Sequence, residues 1–145
     1  MADLVHNRKA GFNYEILEKF DAGMELFGFE VKALRSGQGS LEGAFVKILG
    51  REAYLLNAHI PPFQPANAPA DYEPTRTRRL LLTKKEIDEL AGKQKMKQLT
   101  IVPIGIYNKG GKLKLSLAVA RGKKKYDKRE TIKRRDLDRE ARREI

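Results

Sequence analysis

Hydrophobic and polar residues alternate most cleanly between Lys112 and Ala120. Leu113, Leu115, Leu117 and Val119 fall on one face, and Lys112, Lys114 and Ser116 on the other, the period of a strand with one side in a core. The preceding run, Leu99 to Tyr107, offers a matching face through Val102, Ile104 and Ile106. Asn108-Lys109-Gly110-Gly111 lies between them, a turn-former cluster of hairpin length. A second hairpin is predicted from Ala44 to Leu49 and Glu52 to Ile60, joined at Gly50-Arg51. Earlier strands are predicted over Asn13 to Phe20 and Met24 to Arg35, the latter bent at Gly28.

One helix is signalled. Thr83-Lys84-Lys85-Glu86 has the form of a capping box, Ile87, Leu90 and Ala91 supply an apolar stripe, and Gly92 is a natural stop. Pro61 to Pro74 holds five prolines and reads as a loop. No internal repeat is visible. The pattern predicts a mainly β fold with short helices: a closed antiparallel barrel of about six strands over residues 1–120. Closure would remove the exposed edges that so many short strands otherwise leave.

Composition changes the picture at the C-terminal end. The 145 residues carry 30 Lys+Arg against 19 Asp+Glu, a formal charge of +11, which favours a polyanionic partner. Residues 121–145 alone hold twelve Lys/Arg and six Asp/Glu, with few apolar side chains beyond Tyr126, Ile132, Leu137 and Ile145. Such a segment cannot offset its ordering entropy by burial, so a basic tail is expected that is disordered until bound. It has latent helical order: Glu130–Arg134 and Asp138–Arg142 are favourable i,i+4 pairs, and Leu137, Ala141 and Ile145 share a stripe.

Catalytic and metal chemistry find little support. There are no cysteines, hence no thiolate site or disulfide framework. Gly105-x-x-x-x-Gly110-Gly111-Lys112 is one residue out of step with a phosphate-binding loop, and Leu113 stands where magnesium would need Ser or Thr. Gly37-x-Gly39-x-x-x-Gly43 has the wrong spacing for a dinucleotide fingerprint. Glu86, Asp88 and Glu89 fit the wet face of a short helix, and His6 and His59 stand far apart. The longest apolar runs, such as Leu80-Leu81-Leu82, fall far short of the ~20 residues of a spanning helix. The chain reads as a soluble cytoplasmic binding protein, a monomer with no cofactor and no membrane partner.

Four basic motifs sharpen that reading: Asn7-Arg8-Lys9-Ala10, the run Gly28-Phe29-Glu30-Val31-Lys32-Ala33-Leu34-Arg35-Ser36-Gly37, Pro74-Thr75-Arg76-Thr77-Arg78-Arg79-Leu80-Leu81-Leu82, and Ala120-Arg121-Gly122-Lys123-Lys124-Lys125-Tyr126-Asp127-Lys128-Arg129. In content and order they resemble the small protein B family, the SsrA-binding proteins of trans-translation. The resemblance implies an oligonucleotide-binding-type barrel that binds the tRNA-like domain of transfer-messenger RNA and brings it to stalled ribosomes. On this likeness the RNA face would include Asn7, Arg8, Lys9, Asp21, Glu30, Lys32, Arg35, Arg76, Arg78, Arg79, Leu81, Thr83 and Lys84. The chain carries Asp21, Ala33 and Thr83 where relatives have Glu, Ser, and Asn or His. Thr83 also serves the bottom-up reading as a helix cap.

In the tail, Gly122 is expected to act as a hinge. Lys123, Lys124, Lys128 and Arg129 would meet phosphates and Tyr126 would stack on a base, with Asp127 in the same motif. The likeness places this tail in the small-subunit decoding site and the empty message channel. Two other classes stay open on sequence alone: another ribosome- or ribosomal-RNA-binding barrel, such as an initiation-factor-like decoding-site binder, and an RNA-modifying enzyme using His59. A polybasic membrane-surface tail lacks an accompanying apolar face.

Overall fold

A computed structural model describes residues 3–123. The elements run β1 (Val5–His6), α1 (Ala10–Asn13), β2 (Tyr14–Met24), α2 (Gly28–Arg35), β3 (Phe45–Leu49), β4 (Glu52–Leu56), β5 (Arg78–Leu81), α3 (Lys84–Gln94), β6 (Leu99–Lys109) and β7 (Lys112–Gly122). All strand pairings are antiparallel, in the spatial order β1-β6-β7-β2-β5-β4-β3. The β6–β7 hairpin is as predicted and two residues longer on each arm. Lys109 and Lys112 pair across a two-residue turn whose Gly110 and Gly111 have φ of 58° and 80°, the geometry that glycines accommodate.

Leu113, Leu115, Leu117 and Val119 all lie in the core. The facing strand departs from simple alternation. Its register slips between Pro103 and Gly105, leaving Ile104 as an extra residue, so the face changes there. Ile101 joins Ile106 in the core cluster; Val102 is buried outside it and Ile104 is half-buried. The bulge falls where Pro103 has no N–H to give to the ladder.

The segment read as a second long strand, Met24 to Arg35, is instead a turn followed by α2. Its buried residues, Glu30, Ala33 and Leu34, follow the i, i+3, i+4 spacing of one helical face. The Phe27 N–H donates to Glu30 Oε1 at 2.8 Å, which closes the first turn. α3 begins as expected: Thr83 Oγ1 accepts from the Glu86 N–H (3.2 Å) and the Thr83 N–H donates to Glu86 Oε1 (3.1 Å). It runs two residues past Gly92 to Gln94.

The sheet has seven strands and is open, so the expected closed barrel is corrected. Among the described residues β1 and β3 are its ends, and β3 is hydrogen-bonded to no strand but β4. α3 packs against both β3 and β6, and those two strands also approach one another directly, without a hydrogen-bonded ladder between them. Gln94 completes the seal by accepting from the Ile48 N–H at 2.7 Å and donating to the Ile48 carbonyl at 3.0 Å. A side-chain amide thus stands in for a neighbouring strand.

Beneath α2 lies a buried ionic cluster. Glu30 and Arg78 are both 0% exposed. Arg78 donates from Nε (2.9 Å) and a terminal nitrogen (2.7 Å) to Glu30 Oε2, and its remaining donors reach the carbonyls of Ala58, Arg76 and Pro74. Arg76 donates to Glu30 Oε1 at 2.5 Å, and the Tyr72 hydroxyl donates to Oε2 at 2.8 Å. Burial pushes the Glu30 carboxyl up, but donors from Arg76, the Phe27 N–H, Arg78 and Tyr72 together hold it below the ordinary carboxylate value. Burial, and then Glu30, push Tyr72 up to about 12.

Removing one member of a buried pair strands its partner. Arg78→Met is therefore expected to cost about 3–5 kcal/mol in urea unfolding. Arg79→Ala, which removes only exposed pairs to Glu25 (3.0 Å) and Glu52 (3.2 Å), is expected to cost under about 1 kcal/mol. Equal midpoints for the two variants would contradict this account.

The same cluster sets a pH window. A depressed Glu30 contributes stability that is fully present above its unfolded value of about 4.3 and is lost as pH falls through its lower folded value. A raised Tyr72 adds the opposite limit, with stability lost as pH rises from about 10 towards about 12. Glu30→Gln should flatten the acid limb of a stability–pH curve, while also lowering the plateau.

Candidate nucleic-acid interface

β2, β5, β6 and β7 alternate so that Phe20, Ala22, Leu80, Ile106 and Leu115 enter the core. The residues between them face out. One row across the sheet reads Leu81 (β5), Gly23 (β2), Lys114 (β7) and Tyr107 (β6); the next reads Asp21, Ser116, Gly105 and His6. Leu81 is 47% exposed, a large apolar side chain left in water. It lies directly over Gly23, where an added Cβ would come within 3.2 Å of the Leu81 Cβ. With Met24, Val31, Arg35 and Lys112 it lines a hollow of about 310 Å³.

The hairpin tip supplies charge. Lys109 and Lys112 stand directly opposite one another, with Lys114 next on β7, a like-charge arrangement unfavourable to folding. Among the described residues, none of these three lysines enters an ion pair. Arg35, at the end of α2, donates to the Gly111 carbonyl at 2.7 Å, bringing a fourth cation to the tip. Tyr107 is pushed up to about 12 by burial and by its hydrogen bond to Asp21. That bond holds the Asp21 carboxylate on this face.

The sequence-predicted residues separate into groups. Asp21, Arg35 and Leu81 come together here. Lys84 is exposed in the first turn of α3, just past Leu81, while the Thr83 hydroxyl is engaged as the helix cap. Lys32 is exposed on α2. Glu30 and Arg78 are corrected to interior positions, since neither has exposed surface. Arg76 is largely committed too, bound to Glu30 and lying over the Phe27 ring at 4.3 Å. Arg79 is exposed but paired with Glu25 and Glu52.

Asn7, Arg8 and Lys9 lie on the β1–α1 connection. Asn7 donates its side-chain amide to the Pro103 carbonyl (2.8 Å), and Lys9 pairs with Glu42 (2.5 Å). Gly122 is still paired with Tyr14 in the sheet, so the strand ends two residues beyond the predicted boundary. Lys123 donates to the Gly11 carbonyl at 2.8 Å. Lys124, Tyr126, Asp127, Lys128 and Arg129 lie outside the described residues. Sequence reasoning overlooked Lys109, Lys112 and Lys114 as site residues. Their signal was present in the hairpin pattern, as lysines on the wet face and beside the Gly-Gly turn.

Comparisons with known proteins identify the family. The family model described as SmpB protein matches residues 4–145. The SsrA-binding protein of Trichodesmium erythraeum is 50% identical over 139 residues, covering 96% of this chain and 89% of that protein. Its counterpart in Sulfurihydrogenibium sp. is 52% identical over 134 residues, covering 92% and 88%. A chain from a solved structure described as "tmRNA-SmpB: a journey to the center of the bacterial ribosome" is 42% identical with a TM-score of 0.69, covering 88% of this chain and 92% of that one. With a family model spanning nearly every residue and half-identical relatives along almost the whole length, the chain belongs to the SmpB protein family.

Proposed function

We propose that this protein binds the tRNA-like domain of transfer-messenger RNA and delivers it to stalled ribosomes for trans-translation. The observation that carries the reading is the unneutralised lysine cluster beside the exposed Leu81, in a chain of a family whose members are named for SsrA binding. Among the described residues, Lys9, Arg76, Arg78, Arg79 and Arg121 by contrast have carboxylate partners. A folded RNA is held by its phosphates and shape, because A-form helices hide base edges in a deep groove. Lys109, Lys112, Lys114 and Arg35 meet phosphates, and Leu81 packs against an unstacked loop base. The Asp21 carboxylate accepts from a base or ribose hydroxyl.

Residues 124–145 form the second element, a basic tail that enters the small-subunit decoding site and message channel. Tyr126 stacks there, and Lys124, Lys128 and Arg129 neutralise phosphates. The protein works as a monomer in the cytoplasm. Among the described residues no helix is long and apolar enough to cross a membrane.

Two outcomes are expected. Lys112→Gln and Lys114→Gln should each weaken gel-shift binding to the tRNA-like domain and lower the salt slope of log K by about 0.7–0.9 for each phosphate left unneutralised. Leu81→Ala should weaken binding with an unchanged slope. Unaltered affinity in all three variants would refute the outer sheet face as the RNA site.

For the tail, joint replacement of Asp127, Lys128 and Arg129 by Ala should leave transfer-messenger RNA binding nearly intact while peptide tagging on stalled ribosomes collapses. Normal tagging by that variant would remove the tail from the mechanism.

A further inference from the structure

A second surface feature lies at the opposite end of α2 from the Arg35–Gly111 hydrogen bond. The helix has eight residues, so the two ends are about 12 Å apart. Phe27 and Phe29 stack with centroids 5.4 Å apart and planes at 25°, and Tyr72 meets Phe29 edge-on at 4.7 Å. Because Tyr72 is fastened to Glu30, the buried ionic cluster holds these rings in place. The chain then returns past them: the Phe63 N–H donates to the Phe29 carbonyl at 3.3 Å. Gly28, Phe29, Lys32, Phe63 and Gln64 together line a hollow of about 270 Å³.

The chemistry of this hollow is specific. Phe63 is 39% exposed and Phe27 49%, so aromatic surface remains in water beside rings that are packed. Among the described residues no carboxylate lines the hollow. Its one charged lining residue among them is Lys32, which enters no ion pair there. Aromatic rings beside a cation form the sequence-tolerant platform on which single-stranded nucleic acids stack. On a chain of net charge +11, charge complementarity favours a polyanionic occupant over an apolar peptide.

We infer that this hollow is a stacking site for one unpaired nucleotide of a bound RNA, separate from the Leu81 face. The base lies against Phe63 and Phe29, and its phosphate meets Lys32. The inference rests on the reading of the protein as RNA-binding, but it does not depend on which RNA the Leu81 face holds.

The test uses the full-length protein and a short single-stranded RNA carrying one 2-aminopurine, whose fluorescence falls on stacking. The wild type should quench it. Phe63→Leu should abolish the quench and weaken binding by between about five- and about 150-fold, the range for one stacked base. Its affinity for a fully paired RNA duplex should not change. Phe63→Trp, which keeps a ring, should retain single-strand affinity. Lys32→Gln should lower the single-strand salt slope by about 0.7.

Leu81→Ala with Lys114→Gln should leave the quench in place, so failure of the tRNA-like-domain reading and failure of this one are distinguishable. A wild type that does not quench would overturn the inference and leave the hollow to an apolar peptide. A Phe63→Leu variant that quenches normally, or loses duplex and single-strand binding equally, would overturn it as well.

Discussion

A carboxylate buried without water must be fully paired, and Glu30 meets that requirement by collecting donors from four places in the chain. Arg76 and Arg78 come from the approach to β5 and from the strand itself, Tyr72 from the proline-rich loop, and the Phe27 N–H from the turn before α2. Each donor group satisfied there fixes the element that carries it. Such clusters add little net stability compared with apolar packing, but losing one member is severe. Their main effect here is on placement. α2 is pinned so that Arg35 reaches the hairpin tip at one end and the aromatic hollow opens at the other.

The elements legible in the sequence were those whose local signals and tertiary surroundings agreed. The β6–β7 hairpin had alternation and a glycine turn, and α3 had its capping box. α2 was misread because Gly28, Phe29 and Val31 suit a bent strand, whereas Glu30, Ala33 and Leu34 are buried together on a helical face. Nothing local announces a buried glutamate until its arginine is found 48 residues away. The closed barrel failed for a related reason: β3 and β6 come close but form no ladder, and the outward N–H and carbonyl of Ile48 go instead to the Gln94 amide, a pairing that spans 46 residues.

The arginine run illustrates how the site was partly legible. Read as a block, Arg76, Arg78 and Arg79 look like one basic surface. Read by strand period, Arg78 shares a face with Leu80, and Arg79 with Leu81. The structure follows the second pattern, with Arg78 and Leu80 inside and Arg79 and Leu81 outside. Family likeness marked these positions alike, without separating a residue that builds the platform from one that faces the solvent. Charge pairing makes a further division. Arg79 and Lys9 face water yet are already neutralised. The lysines at the hairpin tip retain their charge at a cost to the fold, because like charges oppose each other across the turn.

The Gln94 seal on β3 has a consequence in time. During synthesis the β3–β4 hairpin emerges before the helix that covers it, and Ile48 must wait for a partner 46 residues later. At a translation rate of about 5–20 residues per second, that interval is roughly 2–9 s. Throughout it, the outer edge of β3 is an unpaired template bearing Val46 and Ile48, open to a neighbouring nascent chain on the same message. The lysine at position 47 and the shortness of the strand guard the edge until Gln94 arrives.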